Sequence, residues 1–160
     1  MLGNCLIDYD LYSRLTDLFI YLLNKTNIHF ITHHDEVVSY LGKDNIYHII
    51  NIDHHHDWYY NEEDKDRVEK INCGNWIKYL NDNNMLSFYT WINTFNSNLC
   101  DDILNHDKIE FFKIDEVELK DFFIPDEVFI CLSPDWIPPY IQPLYSIWKN
   151  IYKTKENIYV

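Results

Sequence analysis

Three short stretches of the chain concentrate side chains that bind metals or move protons: Thr32-His33-His34-Asp35-Glu36, Asp53-His54-His55-His56-Asp57 and Ser133-Pro134-Asp135-Trp136. Each follows an apolar run that reads as a strand, and in open parallel sheets ligands gather beyond the carboxyl ends of the strands. Alternate residues of an extended chain share a face, so Asp53, His55 and Asp57 are expected on one side and His54 and His56 on the other. Asp135 would add an oxygen from a neighbouring strand end, and His34 or His33 would complete the ring. This mixed oxygen and nitrogen set suits Zn, Mn or Fe rather than a thiolate-preferring metal, and its carboxylates favour Mn. An ion in such a site activates water for hydrolysis, with His33, His56 or Asp57 as the group that passes a proton to the leaving atom. Ser133 and Asn75 are candidates for orienting a substrate. Gly74-Asn75 also reads as the start of a helix, and Pro134 beside Asp135 as a turn.

The elements that must position these residues follow from periodicity. Leu11, Leu15, Leu18, Phe19, Leu22 and Leu23 recur at helical spacing and predict an amphipathic helix over 11–24. Strands are expected at 28–32 and 46–52, the second so continuously apolar that burial on both faces is implied. A short helix over 35–41, closed by Gly42, separates them. The charged stretch 62–70 reads as a solvated loop or turn, and Trp76, Ile77 and Leu80 as a short helix. Residues 85–95 fit neither period, because Phe88, Tyr89, Trp91 and Phe95 match helix and strand equally poorly. Strands at 111–114 and 128–132 precede a final helix whose stripe is Ile141, Leu144, Tyr145, Trp148, Ile151 and Tyr152, with Pro138-Pro139 at its entrance. Strands alternating with helices predict an α/β sandwich on a mainly parallel sheet, in one domain over 1–160.

Composition narrows the function. The 160 residues carry 26 acidic against 13 basic side chains, a formal charge of -13, which repels nucleic-acid backbones and anionic membranes. Hydrophobic residues at 47% and only 3 Gly give a globular chain rather than a disordered one. Cys5, Cys73, Cys100 and Cys131 form no CxxC pair and no signal sequence opens the chain, so a reducing cytoplasm is expected. The apolar run 18–23 is far below the roughly 20 residues a spanning helix needs.

The order and context of these motifs resemble the ureohydrolase superfamily of arginases and agmatinases, which shares its fold with metal-dependent deacetylases. Asp53-His54-His55-His56-Asp57 resembles the family's Asp-x-His-x-Asp motif at the end of an apolar strand. Ser133-Pro134-Asp135 resembles the start of its later Ser-x-Asp-x-Asp motif, and His34 the upstream histidine. His34-Asp35-Glu36-Val37 is similar to a small uncharacterised branch of the superfamily. The resemblance implies a three-layer α/β sandwich of reduced size, with Asp53 bridging two ions, His55 on one, His34 and Asp57 on the other, and Asp135 shared. Ile137 stands where the family's late motif has its second Asp, so one ion would lose an oxygen. Asp53, His55 and Asp135 would still make a deacetylase-like single site, since three protein ligands plus water form an open catalytic arrangement. The implied activity is hydrolysis of a C–N bond in an amide, acetamide or guanidine, on a small-molecule or modified-amine substrate with one or two ions. A non-catalytic metal-binding or regulatory module that keeps the fold is the alternative, and self-association is compatible with either.

Overall fold

Among the described residues of the computed structural model every strand pairing is parallel, and the pairings fall into two sheets. The structure describes residues 9–59, 64–94, 103, 105–121, 124–135, 139 and 141–156. These form a mixed α/β protein that divides into two compact units, Met1–His33 with Glu118–Val160, and His34–Val117. Phe95 and Pro138, which the sequence places at element ends, and Ile137 lie outside the described residues.

In the first unit, β1 (Asn27–Ile31) pairs with β5 (Glu127–Cys131). Helix α1 (Tyr9–Leu22) buries Leu11, Phe19 and Leu22 from its predicted stripe. Helix α4 (Gln142–Glu156) admits Pro143 at its second position, where a missing N–H costs nothing. Its stripe covers both partners: Trp148 stacks on Phe19 at 5.2 Å, and Tyr145 meets Phe30 edge-on at 5.4 Å. The Tyr145 hydroxyl donates to the Ile31 carbonyl at 3.0 Å, so the helix is tied to the strand by a polar bond as well as by apolar area. Ile151, on the same predicted stripe, is exposed.

The second unit is built on the order β2–β3–β4, with β2 Tyr47–Asp53, β3 Leu86–Asn93 and β4 Ile109–Lys113. A short 3-10 turn at His34–Glu36 and helix α2 (Val37–Tyr40) precede β2, and α3 (Trp76–Asp82) crosses from β2 to β3. The segment that looked most like a doubly buried strand, 46–52, forms an edge strand from Tyr47, half-buried except for an exposed His48, and its first apolar residue, Ile46, is exposed. The ambiguous stretch is instead the central strand, with Leu86, Tyr89 and Ile92 almost completely buried. A central strand packs on both faces, so its aromatic and polar residues need obey no alternation.

Helix α3 is stopped by a Schellman turn: Met85 N–H donates to Leu80 C=O at 2.8 Å and Asn84 N–H to Asn81 C=O at 3.0 Å, with Asn84 at φ 59. Leu80 and Ile77 on its inner face have no exposed surface. Lys78 is also buried and sends its ammonium to both oxygens of Asp82 at 2.9 Å, while Asp82 accepts the Val68 N–H at 3.0 Å. Asn75 is enclosed in the preceding loop, its amide donating to Asp64 and to the Lys70 carbonyl and accepting from Asn72 N–H. Both amide protons are committed and the residue is fully buried, so Asn75 holds the loop in shape. Leu80→Ala is expected to cost about 2–5 kcal/mol of unfolding free energy, as for other buried leucines truncated to alanine. Urea titration followed by far-ultraviolet circular dichroism checks it.

Candidate metal centre

Strand β2 ends at Asp53, and the next four residues leave extended geometry, with Asp57 at φ 52. The alternation of faces expected for 53–57 therefore holds only as far as Asp53. A left-handed corner is tolerated by Asp better than by most non-glycine residues. Here it turns Asp57 inward until only 1% of it is exposed.

The corner is held by β3. Tyr89, Trp91 and Asn93 are spaced two apart, so they share one face of that strand. Tyr89 OH donates to the His56 carbonyl at 2.7 Å, Trp91 Nε1 to the Asp53 carbonyl at 3.1 Å and Asn93 Nδ2 to the His54 carbonyl at 3.4 Å. From α3, Ile77 N–H donates to the Asp57 carbonyl at 3.1 Å and Trp76 Nε1 to Asp57 Oδ2 at 2.8 Å. From β2, Asn51 Nδ2 reaches Asp57 Oδ2 at 3.3 Å and Tyr89 OH at 3.2 Å. A loop that has left its sheet must find partners for its carbonyls elsewhere, and this one finds them on the neighbouring strand and helix.

His34, opening the unit, is brought onto this corner. Its Nδ1 lies 3.0 Å from Asp57 Oδ2 and 3.3 Å from Asp53 Oδ2. His34, Asp53 and Asp57 are the described group of three that could hold a metal ion, each offering an atom within 4.8 Å of the others. Metal–ligand bonds of about 2.1 Å set neighbouring ligand atoms roughly 3.0–3.4 Å apart by simple geometry, and the two His34 distances match this spacing. Asp53 Oδ1 accepts the His54 N–H at 2.6 Å, whereas Asp53 Oδ2 is buried and accepts no hydrogen bond among the described residues. A buried carboxylate oxygen without a donor is costly, and a cation removes that cost. The donor set thus fits a divalent ion.

The other sequence candidates take different places. His55 is not in the group of three; its ring packs edge-on against His54 at 4.6 Å. His56 accepts the Trp58 N–H at Nδ1, 3.0 Å away, which puts the ring proton of its neutral form on Nε2. His33 and Asp135 belong to the first unit, where Asp135 is exposed beyond a left-handed Ser133 at φ 45. Ser133 is buried, its N–H on the Thr32 carbonyl and its hydroxyl 3.2 Å from Cys131 Sγ. The residues that sequence reasoning missed are Asn51, Trp76, Tyr89, Trp91 and Asn93. Their only trace was the two-residue spacing of the last three, hidden in a segment of unclear period. No family model, curated protein or solved structure matches the chain. No helix among the described residues is long and apolar enough to cross a membrane.

Burial, reinforced by the negative charge of Asp57, pushes the Asp53 carboxyl up to about 7, against the opposing pull of His34 and of the His54 and His55 main-chain bonds. Burial likewise pushes His56 down to about 4, although Asp57 favours its charged form. His55 is lowered by burial first and by His54 next. In the ion-free protein the folded state holds a proton on Asp53 that the unfolded chain, at its ordinary 3.8, has released, so Asp53 lowers stability as pH rises from about 4 to 7. His56 acts oppositely, since below 6.5 the unfolded chain binds a proton that the folded one refuses until about 4. The two effects offset each other over most of that window. Asp53→Asn removes one of them, so its thermal midpoint in chelator is expected to rise more steeply than that of the unsubstituted protein between about pH 4 and 6.5. Melts across that range in both proteins are the check; parallel curves would contradict the assignment.

Proposed function

We propose that this protein is a metal-dependent hydrolase of C–N bonds in an amide, acetamide or guanidine, with one divalent ion held by His34, Asp53 and Asp57. The observation that carries the reading is the buried Asp53 Oδ2, which accepts no hydrogen bond among the described residues and lies 3.3 Å from His34 Nδ1 beside the Asp57 carboxylate. Three protein ligands among the described residues would leave coordination positions open, as a catalytic site requires. One imidazole and two carboxylates suit Mn or Zn, with Fe the remaining choice. The position of Asp53 at the carboxyl end of a parallel strand supports the reaction class, as does the resemblance of Asp53 and Asp57 to the two carboxylates of the ureohydrolase motif, with His34 in place of the motif's central His55. A reduced arginase- or deacetylase-like three-layer sandwich is part of the same proposal, supported by the parallel pairing of every described strand.

A divalent ion there supplies Lewis acidity toward water and substrate. The chain's own residues do the rest. Asp53 and Asp57 provide negative charge that their burial leaves poorly screened, and His34 Nδ1 lies 3.3 Å and 3.0 Å from their Oδ2 atoms, where the three can share one ion. His56, neutral at pH 7 with its proton on Nε2, is suited to donate a hydrogen bond at fixed orientation rather than to shuttle protons.

Protein purified without chelator is expected to hold one Mn or Zn per chain by elemental analysis. His34→Ala and Asp53→Ala should lose it and His55→Ala retain it. Saturating Mn²⁺ at 100 times its dissociation constant should add about 2.7 kcal/mol of stability to the unsubstituted protein and none to Asp53→Ala. A panel of acetylated amines, guanidines and simple amides then reads turnover. Metal retained in Asp53→Ala would sink the site, and an occupied site with no turnover would favour the non-catalytic module.

A further inference from the structure

We infer that Trp76, assisted by Asn51, is a positioning residue that sets the affinity of the ion by holding the Asp57 carboxylate. This rests on the metal-centre reading above and adds to it residues that touch no ion. Asp57 sits in a left-handed corner, so its side chain leaves the backbone in a direction that no strand or helix dictates. Two of the hydrogen bonds converging on Oδ2 come from groups an ion does not displace: the Trp76 indole N–H at 2.8 Å and the Asn51 amide at 3.3 Å. The third neighbour, His34 Nδ1 at 3.0 Å, is itself a ligand, and its lone pair faces the carboxylates only once its proton has left. When the ion binds, Trp76 and Asn51 are therefore the donors that still fix the rotation of the carboxylate.

The grip of α3 is double. Consecutive residues bind the two ends of Asp57, Ile77 through the main-chain carbonyl and Trp76 through the carboxylate, so the corner and the side chain are referenced to one helix turn. The indole is 4% exposed and cannot swing away to solvent. Asn51 is braced by Tyr89 OH, which in turn donates to the His56 carbonyl. Outer-shell hydrogen bonds of this kind are worth about 10- to 100-fold in metal affinity.

The test uses the full chain and Mn²⁺ or Zn²⁺ alone, with affinity read by competition against a chromophoric chelator well below the unfolding temperature. Trp76→Phe keeps most of the ring and deletes the N–H, and it is expected to bind the ion about 10- to 100-fold more weakly. Leu80→Ala is the control: it destabilises the same helix, touches no ligand, and should bind within about twofold of the unsubstituted protein. Asn51→Ala, on the edge strand, should weaken binding in the same direction but less, and it carries the test if Trp76→Phe does not fold. Unchanged affinity in Trp76→Phe, or in Asn51→Ala where that variant stands in for it, overturns the inference, as does an equal loss in Leu80→Ala. No binding by the unsubstituted protein overturns the metal centre itself and the inference with it.

Discussion

The candidate site depends on how four residues that leave a sheet satisfy their carbonyls. Asp53 ends β2, and the chain must turn inward without the ladder that paired it until then. Tyr89, Trp91 and Asn93 on the adjacent strand take the carbonyls of His56, Asp53 and His54. Each such bond contributes about 1 kcal/mol net, but leaving a buried carbonyl unpaired costs more than a bond provides, so the corner depends on the partners that β3 and, for the Asp57 carbonyl, Ile77 of α3 supply. Once that corner exists, Asp57 is buried, Trp76 can reach it, and His34 has two carboxylates to approach.

What was legible in the sequence tracks what depends on residue type and local period. The helices of the first unit, its two strands and the short α3 follow from apolar spacing, because each packs one face against one neighbour. Asp53, Asp57 and His34 were legible as ligand types at strand ends. The resemblance already put His34 with both carboxylates, but the turn that brings them together was not legible, since it requires the chain to stop being extended at Asp53, and nothing in a row of three histidines announces that. The alternation argument grouped His55 with the carboxylates, while the turn brought His34 to them instead. The edge and central strands of the second unit were likewise exchanged: apolar content marks a strand, but its place in the sheet depends on long-range pairing that a local window does not contain.

Electrostatics at the centre explains why this group of side chains suits a cation. Two carboxylates lie within a few ångströms of one imidazole, inside a chain with a formal charge of -13. One imidazolium cannot neutralise both, and burial penalises every charge left over. Burial and the charge of Asp57 accordingly push the Asp53 carboxyl up to about 7. Lys78 and Asp82, a few residues along α3, show the contrasting solution, in which a buried ammonium is paired with a carboxylate from within the fold.

Glycine is scarce here, 3 in 160 residues, and no described glycine takes a left-handed corner. Those corners are occupied by Asp57, Asn84 and Ser133. At Asn84 the demand is conformational alone, so glycine is an open substitute. At Asp57 the same residue must both bend the chain and present a carboxylate, and the two demands select different replacements: glycine keeps the bend and forfeits the charge, glutamate keeps the charge and resists the bend. Asparagine satisfies the bend and half of the chemistry. The mutational neighbourhood of this position is therefore nearly closed, and a lineage that drifts away from aspartate there gives up either the shape of the turn or its reason for turning.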